Sequence, residues 1–265
     1  MPSTRAPRLS ALLACAALAT GCNAGGGLVY PAPDHPAPPM PAAFERVDAC
    51  ARDGAPVHAY LLPPPDATAP VVVVFHGNGE TMENRAGLAT DLRGRGYGVA
   101  LVEYRGYGLS SGGPPPDERG LYRDAAAVLE ALAVRGYRSR RVVLMGISLG
   151  TAVAAQLATC GAGRALVLVS PFTSLLDEAH EIVPWLPASW FLKDRFDTLG
   201  KAPRIAMPTL VVHGTEDEIV PFAMGQRVAA AIPGARFFAV EGGHHNDVMR
   251  LWRRQVLDEL DRLVR

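Results

Sequence analysis

The chain has no excess of charge of either sign and no long apolar run. Lysine and arginine together number 26, as do aspartate and glutamate, so the surplus of positive charge that binds a nucleic-acid backbone is missing. The apolar run over residues 9–19 falls short of the roughly 20 residues that cross a bilayer. Because 49% of the 265 residues are hydrophobic and 20% are charged, the chain can bury a full core. We expect one folded domain and no nucleic-acid partner.

The motifs of metal and nucleotide chemistry are also missing. The sequence contains no H-E-x-x-H, no paired C-x-x-C and no G-x-x-x-x-G-K-[ST] pattern. Cysteine is scarce, and sequence alone does not tell whether Cys50 and Cys160 are bonded. The residues thus give no sign of a metal or nucleotide site.

The first residues are typical of a secretory signal peptide. Arg5 and Arg8 precede the apolar run, and no acidic residue occurs before Asp34. A retained transmembrane helix is the weaker interpretation, because the run is too short to cross a bilayer. We predict a signal peptide over residues 1–21.

The small residues 19–21 lead to Cys22 and resemble the lipobox of bacterial lipoproteins. The resemblance implies cleavage before Cys22 and attachment of lipid to it, although Ala19 stands where leucine is usual. Attachment at Cys15, or secretion without lipid, are the alternatives. The resemblance implies a lipid-anchored protein of the bacterial cell envelope, with the outer membrane favoured because Asn23 is not aspartate. Without lipid, the protein would be secreted or periplasmic.

The segment after Cys22 is rich in glycine and proline. Six prolines between residues 31 and 41 disfavour a helix and favour an extended, solvated chain, which spans on the order of 40–60 Å over about twenty residues. We therefore predict a tether over residues 22–43, which would bring the molecule to a membrane surface, and a folded domain over residues 44–265.

Apolar strands alternate with helical patterns from about residue 70 onward. Wholly apolar strands separated by amphipathic helices are typical of a parallel sheet that is covered on both faces, so we predict an α/β fold. The predicted strands are 71–75, 98–104, 141–147, 165–169, 209–213 and 235–240, and the predicted helices are 81–95, 118–134, 149–159, 222–231 and 247–263.

Two further segments complete the predicted domain. Residues 44–50 and 57–62 flank an Asp-Gly pair, which indicates an N-terminal β-hairpin. Residues 171–207 have no strand pattern, and we predict a short lid insertion over the strand ends. Its large apolar residues either line an acyl pocket or pack the insertion onto the sheet; they are Trp185, Leu186, Trp190, Phe191 and Leu192.

Residues 146–150 match the pattern G-x-S-x-G between an apolar strand and a helix. Such a turn lifts the serine hydroxyl clear of the sheet, and this weak nucleophile then needs a base and a third group that orients the base. Residues 108–112 match the same pattern but run into three prolines that cannot continue as a packed helix. We therefore predict Ser148, and not Ser110, as the nucleophile.

The acid and the base each have neighbours that compete for the role. Asp217 follows a buried strand but lies between Glu216 and Glu218, and spacing does not choose among the three. His244 and His245 both precede the last helix, and only one of two adjacent side chains can face the serine. The residues alone leave both choices open.

An oxyanion hole needs two backbone N–H groups that point at the developing negative charge. One comes from the residue after the nucleophile, Leu149, and the other from the turn after the first parallel strand, residues 76–79. We predict Asn78 as the second donor, because glycines on both sides let the backbone approach a substrate. His76 is more consistent with a buried structural role.

Several segments together resemble the α/β-hydrolase superfamily of serine hydrolases, over roughly residues 44–265. They are residues 76–79, 103–112, 146–150, 170–174, 213–221 and 245–246. The sequence is most similar to a membrane-associated branch with lysophospholipase-like and protein-depalmitoylating members. That branch has asparagine directly after the catalytic histidine, which implies a triad of Ser148, Asp217 and His245. His244 stands where the branch usually has glycine.

The resemblance implies hydrolysis by acyl transfer, a mechanism that requires no metal or other cofactor, and the missing motifs agree with it. Ser148 would attack the carbonyl of an ester or thioester while His245 takes its proton and Asp217 orients the imidazole. The expected substrate is a small-molecule or lipid-like compound with a medium acyl chain; a protein partner is not indicated. Cleavage of a peptide or amide, or a non-catalytic role as a surface lipoprotein adaptor, are the alternatives.

Overall fold

The computed structural model describes residues 29–31, 39–182, 185 and 192–264. The predicted signal peptide and the lipid attachment site at Cys22 lie outside the described residues. Within the described part, eight strands form one sheet. In chain order the strands are β1, Glu45–Cys50; β2, Pro56–Leu62; β3, Val71–Phe75; β4, Gly98–Glu103; β5, Val142–Ile147; β6, Ala165–Val169; β7, Thr209–Gly214; and β8, Arg236–Val240.

The strands lie in the order β1-β2-β4-β3-β5-β6-β7-β8. Strands β1 and β2 form an antiparallel hairpin, β2 pairs with β4 in the antiparallel sense, and every other neighbouring pair is parallel. Each predicted strand agrees with the observed one to within one residue at either end. The predicted α/β class and the N-terminal hairpin are therefore confirmed.

The five predicted helices agree with the observed ones except at the first and the last of them, and two further helices lie within the predicted insertion. The predicted 81–95 helix opens with a 3-10 turn over Met82–Arg85, because a hydrogen bond from Thr81 N–H to Asn84 Oδ1 (2.9 Å) closes a tight turn there. The predicted 247–263 helix is divided at Trp252. The helices are α1, Ala86–Gly94; α2, Glu118–Val134; α3, Leu149–Thr159; α4, Leu175–Ile182; α5, Thr198–Lys201; α6, Phe222–Ala231; α7, Val248–Leu251; and α8, Arg253–Val264.

The core lies on both faces of the sheet, which explains the continuous apolar strands. On β3, the side chains of Val71, Val73 and Phe75 belong to a cluster with residues of α2, α3 and α6. Those of Val72 and Val74 belong to a second cluster with residues of α1 and α8. Burying one such side chain stabilises the fold by about 1.5–3 kcal/mol. Among the described residues, no helix is both long and apolar enough to span a bilayer.

The parallel strands end together at one edge of the sheet. Phe75 at the end of β3 pairs with Gly146 near the end of β5, and Val169 at the end of β6 pairs with Val212 of β7. The turns that follow these strands therefore meet at the carboxyl edge, where α/β proteins bind their ligands. Asn78, Ser148, Leu149 and Asp217 lie in or directly after these turns, and His245 follows the neighbouring strand β8.

The structure differs from the predicted solvated tether at Tyr30. This side chain is only 5% exposed and belongs to the cluster that covers one face of β3. Its hydroxyl donates a hydrogen bond to Asp194 Oδ2 (2.6 Å). The prolines that follow restrict the backbone, but they do not prevent an aromatic ring from packing against the core. Residues 32–38 of the predicted tether lie outside the described residues.

Candidate active site

Ser148 lies on a strained turn between β5 and α3. Its φ of 51° and ψ of −118° are unusual for a residue with a Cβ atom. Glycine is required on both sides, because a Cβ atom at Gly146 would lie 2.4 Å from the carbonyl oxygen of Gly150, and one at Gly150 would lie 2.1 Å from that of Phe75. Ser148 N–H also donates to the carbonyl of Val169 (2.9 Å). The two glycines thus let the chain turn sharply and present the hydroxyl at the sheet edge.

The structure brings one histidine and one carboxylate to this serine. His245 Nε2 lies 3.1 Å from Ser148 Oγ, and His245 Nδ1 lies 2.8 Å and 3.0 Å from the two carboxylate oxygens of Asp217. The side chain of Asp217 is fully buried and that of His245 is 9% exposed. Since Nδ1 faces only carboxylate oxygens, it carries the hydrogen, and Nε2 is left as the acceptor for the serine hydroxyl.

Backbone N–H groups hold the carboxylate of Asp217 in place in addition to His245. Its Oδ1 accepts hydrogen bonds from the backbone N–H groups of Val220 (2.8 Å) and Ile219 (3.0 Å). Burial by itself would raise the pKa of this carboxyl, but hydrogen bonds from His213 and His245 outweigh burial and hold the pKa well below its usual range. The group is therefore a permanent anion behind the imidazole at neutral pH.

His213 is a member of the site that the sequence analysis missed. Its Nε2 lies 3.3 Å from Asp217 Oδ2 and 2.9 Å from the carbonyl oxygen of Val220, and because both are acceptors, Nε2 carries the hydrogen. A Cβ atom at Gly225 would lie 2.2 Å from the other ring nitrogen, so this glycine leaves room for the ring. The available signal was its position at the end of β7, four residues before Asp217.

The competing residues form a separate group on the surface. His244 Nδ1 lies 3.1 Å from Glu218 Oε2, and His244 Nε2 lies 3.6 Å from Glu216 Oε2. Hydrogen bonding to Glu218 raises the pKa of His244 above its usual value. The structure thus places His245 and Asp217 at Ser148, and it places their neighbours away from it.

Ser110 has a different environment from Ser148. It is fully buried, its Oγ accepts a hydrogen bond from His58 N–H (3.2 Å), and its hydroxyl donates to the carbonyl of Glu103 (3.4 Å). The hydroxyl thus joins β2 to β4. This arrangement is structural.

The predicted oxyanion turn passes directly beside the serine. A Cβ atom at Gly77 would lie 3.4 Å from Ser148 Cβ, and Gly77 N–H is occupied by Glu80 Oε2 (3.3 Å). Leu149 is the first residue of α3, so its N–H has no partner within the helix. No described residue accepts a hydrogen bond from Asn78 N–H. Leu149 and Asn78 are therefore two backbone donors at this edge that have no acceptor among the described residues.

His76, the first residue of the predicted oxyanion turn, is paired with a buried carboxylate. His76 Nε2 lies 2.9 Å from Glu103 Oε1, and both side chains are almost completely buried. Burial lowers the pKa of His76, but the adjacent Glu103 carboxylate more than offsets this, and the pKa is raised overall. His76 Nδ1 also lies 2.8 Å from the carbonyl oxygen of Gly77. The geometry agrees with the structural role expected for His76.

The structure describes only some of the large apolar residues of the predicted lid. Leu186, Trp190 and Phe191 lie outside the described residues, whereas Trp185 is 78% exposed.

Cys50 and Cys160 are exposed free thiols. In the ranges described, no group of three His, Cys, Asp or Glu side chains could hold a metal ion.

Glu178 on α4 is a second group that the sequence analysis missed. Its side chain is partly buried, and burial raises its pKa to about 7; the electrostatic interaction with His245 opposes this shift and the negative charge of Asp217 adds to it. The carboxyl is thus within electrostatic reach of the candidate base and acid. No sequence signal distinguished Glu178 from the other acidic residues of this segment.

We expect Glu178→Gln to stabilise the protein at alkaline pH. A carboxyl in the unfolded chain ionises near pH 4.3, whereas Glu178 in the folded protein ionises near pH 7. Stability is therefore lost as the pH rises between these values and stays reduced above pH 7. Glutamine cannot ionise, so urea denaturation should show a gain of about 1–3 kcal/mol at pH 8 and almost none at pH 4.5.

The neighbouring Glu181 is exposed on the same helix and provides the control. Glu181→Gln should leave the free energy of unfolding nearly unchanged at both pH values. If Glu178→Gln changed the free energy of unfolding equally at pH 8 and pH 4.5, the gain in stability would not come from removing an ionisable group.

A mostly parallel sheet with a serine on the turn between a strand and a helix is the architecture of the α/β hydrolases. Residues 66–200, about half of the chain, match the family described as serine aminopeptidase, S33. The chain therefore belongs to this hydrolase family.

Relatives of the chain support the same assignment. An uncharacterized protein of Mycobacterium tuberculosis is 40% identical over 199 residues, which cover 74% of this chain and 70% of the relative. Alpha/beta hydrolase domain-containing protein 17C of Xenopus tropicalis is 33% identical over 183 residues, or 67% of this chain and 56% of that protein.

Among solved structures, the chain is similar to the esterase Pf2001 of Pyrococcus furiosus. The TM-score is 0.71 at 17% identity, and the match covers 89% of this chain and 98% of the esterase. At this identity the similarity shows the fold, and the predicted α/β-hydrolase fold is confirmed. The similarity to a lysophospholipase-like and depalmitoylating branch stays a prediction.

Proposed function

We propose that the protein is a serine hydrolase that cleaves a carboxylic ester or thioester of a medium-chain acyl group. The observation that carries the proposal is the continuous chain of short contacts from Ser148 Oγ through both nitrogens of His245 to Asp217. A serine hydroxyl gains nucleophilicity from a base at this distance, and a buried carboxylate keeps the base in the required tautomer.

In the first half of the reaction, His245 Nε2 accepts the proton as Ser148 Oγ attacks the carbonyl carbon. The positive charge that forms on the imidazole is stabilised by Asp217, which is already an anion. The backbone N–H groups of Leu149 and Asn78 donate to the carbonyl oxygen as it becomes negative. The imidazolium then protonates the leaving alcohol or thiol, and the acyl group stays on the serine.

In the second half, water takes the place of the leaving group. His245 removes a proton from the water, the hydroxide attacks the acyl carbonyl, and the same two N–H groups stabilise the second oxyanion. Ser148 regains its proton from the imidazolium, and the carboxylic acid leaves. These steps use only side chains and backbone groups of the chain itself.

The substrate class is tested by a panel of acetyl and octanoyl p-nitrophenyl esters, an octanoyl thioester and aminoacyl amides. We expect the octanoyl ester and thioester to be hydrolysed with a higher kcat/KM than the acetyl ester, and the amides to be poor substrates. Acetyl turnover equal to or better than octanoyl would contradict the acyl-chain preference.

Cleavage of amides is the second candidate function, because the matching family is described as serine aminopeptidase and the same triad supports either reaction. Aminoacyl amides that are hydrolysed faster than the esters would favour it. Wild type that cleaves no member of the panel would favour a non-catalytic role.

A further inference from the structure

Val29 and Tyr30, which we name the N-terminal clamp, precede the predicted catalytic domain and yet contact the candidate site. Tyr30 packs edge-on against the ring of Phe196, with the ring centroids 6.2 Å apart, and donates its hydroxyl proton to Asp194. Burial and the Asp194 carboxylate both raise the pKa of Tyr30, so the phenol stays protonated as a donor. The clamp is therefore a packed part of the structure.

The other end of the clamp holds Asn78. The Nδ2 group of Asn78 donates to the carbonyl oxygen of Val29 (2.6 Å), and Tyr107 donates its hydroxyl proton to Asn78 Oδ1 (2.7 Å). Both polar atoms of the Asn78 side-chain amide are thus hydrogen-bonded, Oδ1 to the loop after β4 and Nδ2 to the N-terminal clamp. The same residue supplies one of the two N–H groups that the proposed reaction uses.

The turn that contains Asn78 has little restraint of its own. Asn78 is exposed and stands between two glycines. Gly79 has a φ of +70°, and no atom lies within 4 Å of the place where its Cβ would be. Glycine is the most permissive residue for the backbone, so the contacts that the Asn78 amide makes outside the turn add to the restraint on the direction of Asn78 N–H.

The clamp joins this turn to the chain that returns from the predicted lid insertion. Asp194 and Phe196 lie in the C-terminal part of that insertion, and Phe196 is fully buried against the ring of Tyr122 on α2 (5.9 Å between centroids). The carbonyl of Arg195 accepts a hydrogen bond from Leu175 N–H at the start of α4 (2.7 Å). Tyr30 therefore connects the oxyanion turn to a firmly held part of the domain.

We propose that Val29 and Tyr30 are positioning residues that hold Asn78 N–H toward the oxyanion. The inference rests on the proposed function and deepens it, because it makes the reaction rate depend on a segment before the catalytic domain. An N–H that moves by about 1 Å loses most of its interaction with the transition state, and such displacements cost up to 10²-fold in rate. The clamp does not touch the reacting atoms.

The test uses the full chain and a p-nitrophenyl acetate substrate, whose acyl group is too small to depend on an extended acyl pocket. Tyr30→Ala should lower kcat about 10- to 100-fold with little change in KM. Tyr30→Phe, which keeps the ring and loses only the hydrogen bond to Asp194, should recover most of the rate. An effect confined to KM would overturn the proposal.

Tyr137→Ala is the matched control for lost packing. Tyr137 packs against the same core cluster, but it precedes β5 and so lies at the opposite edge of the sheet. We expect this variant to lower the melting temperature and to leave kcat unchanged. If Tyr30→Ala lowers kcat no more than Tyr137→Ala at an equal folded fraction, the clamp has no positioning role.

A double-mutant cycle with Asn78→Ala tests whether Tyr30 affects kcat through Asn78. Asn78→Ala removes the amide that the clamp holds and keeps the backbone N–H, so Tyr30→Ala should cost almost nothing further in kcat in that background. If the two substitutions lower kcat independently, so that their fold-changes multiply, Tyr30 does not act through Asn78. Wild type without any esterase activity overturns the proposed function together with the clamp, whereas an active wild type with an unaffected Tyr30→Ala overturns the clamp alone.

Discussion

Ser148→Ala is expected to abolish hydrolysis, with a loss of kcat/KM of about 10⁴- to 10⁶-fold. Without the hydroxyl, no acyl-enzyme can form, and only the weak catalysis by the oxyanion donors and by binding would be left. A fluorophosphonate probe should label wild type at Ser148, as mapped by mass spectrometry. The same probe should leave Ser148→Ala unlabelled.

Ser110→Ala is the matched control, because both serines occupy a G-x-S-x-G pattern. Its hydroxyl joins β2 to β4, so the variant should lose about 1 kcal/mol of stability and keep full labelling and activity. Labelling that persists in Ser148→Ala, or that disappears in folded Ser110→Ala, would contradict the assignment of the nucleophile.

Asp217→Asn is expected to lower kcat by about 10⁴-fold with little change in KM. An amide cannot stabilise the imidazolium as a carboxylate does, and its NH₂ group favours the tautomer of His245 that has no free Nε2 for the serine proton. The loss should therefore appear in the chemical step, measured as the rate of the acylation burst. Glu216→Gln and Glu218→Gln should each keep nearly wild-type kcat.

Asp217 also contributes to stability, and the two roles can be separated by pH. Its pKa is lowered in the folded protein, so its stabilising effect is present above the ordinary pKa of an aspartate and is lost as the pH falls below it. Activity should accordingly be compared at neutral pH and at equal folded fractions. A larger loss of kcat in Glu218→Gln than in Asp217→Asn would transfer the role to Glu218.

Much of the fold was predictable because its signals are local. A strand that is buried on both faces must be apolar throughout, so Val71–Phe75 and Ala165–Val169 were identified to the residue. The last helix was harder, because the pattern over residues 247–263 does not reveal the division at Trp252.

The candidate site was only partly predictable. The G-x-S-x-G turn around Ser148 is a local motif, since its glycines are required by contacts within the turn and with the adjacent strand. The roles of His213, Glu178 and Tyr30 depend on contacts between segments that are distant in sequence. Neither periodicity nor motif spacing describes such contacts.

By itself, the sequence determined the alternation of strands and helices, the position of the G-x-S-x-G turn and the set of residues from which the candidate acid and base were drawn. These features depend on side-chain polarity and backbone freedom over a few neighbouring residues. Only the tertiary structure shows that His245 and Asp217, and not His244 or the two glutamate neighbours of Asp217, lie in contact at Ser148. Adjacent side chains point in different directions, and which of them reaches Ser148 depends on how β5, β7 and the turn after β8 meet at one edge of the sheet.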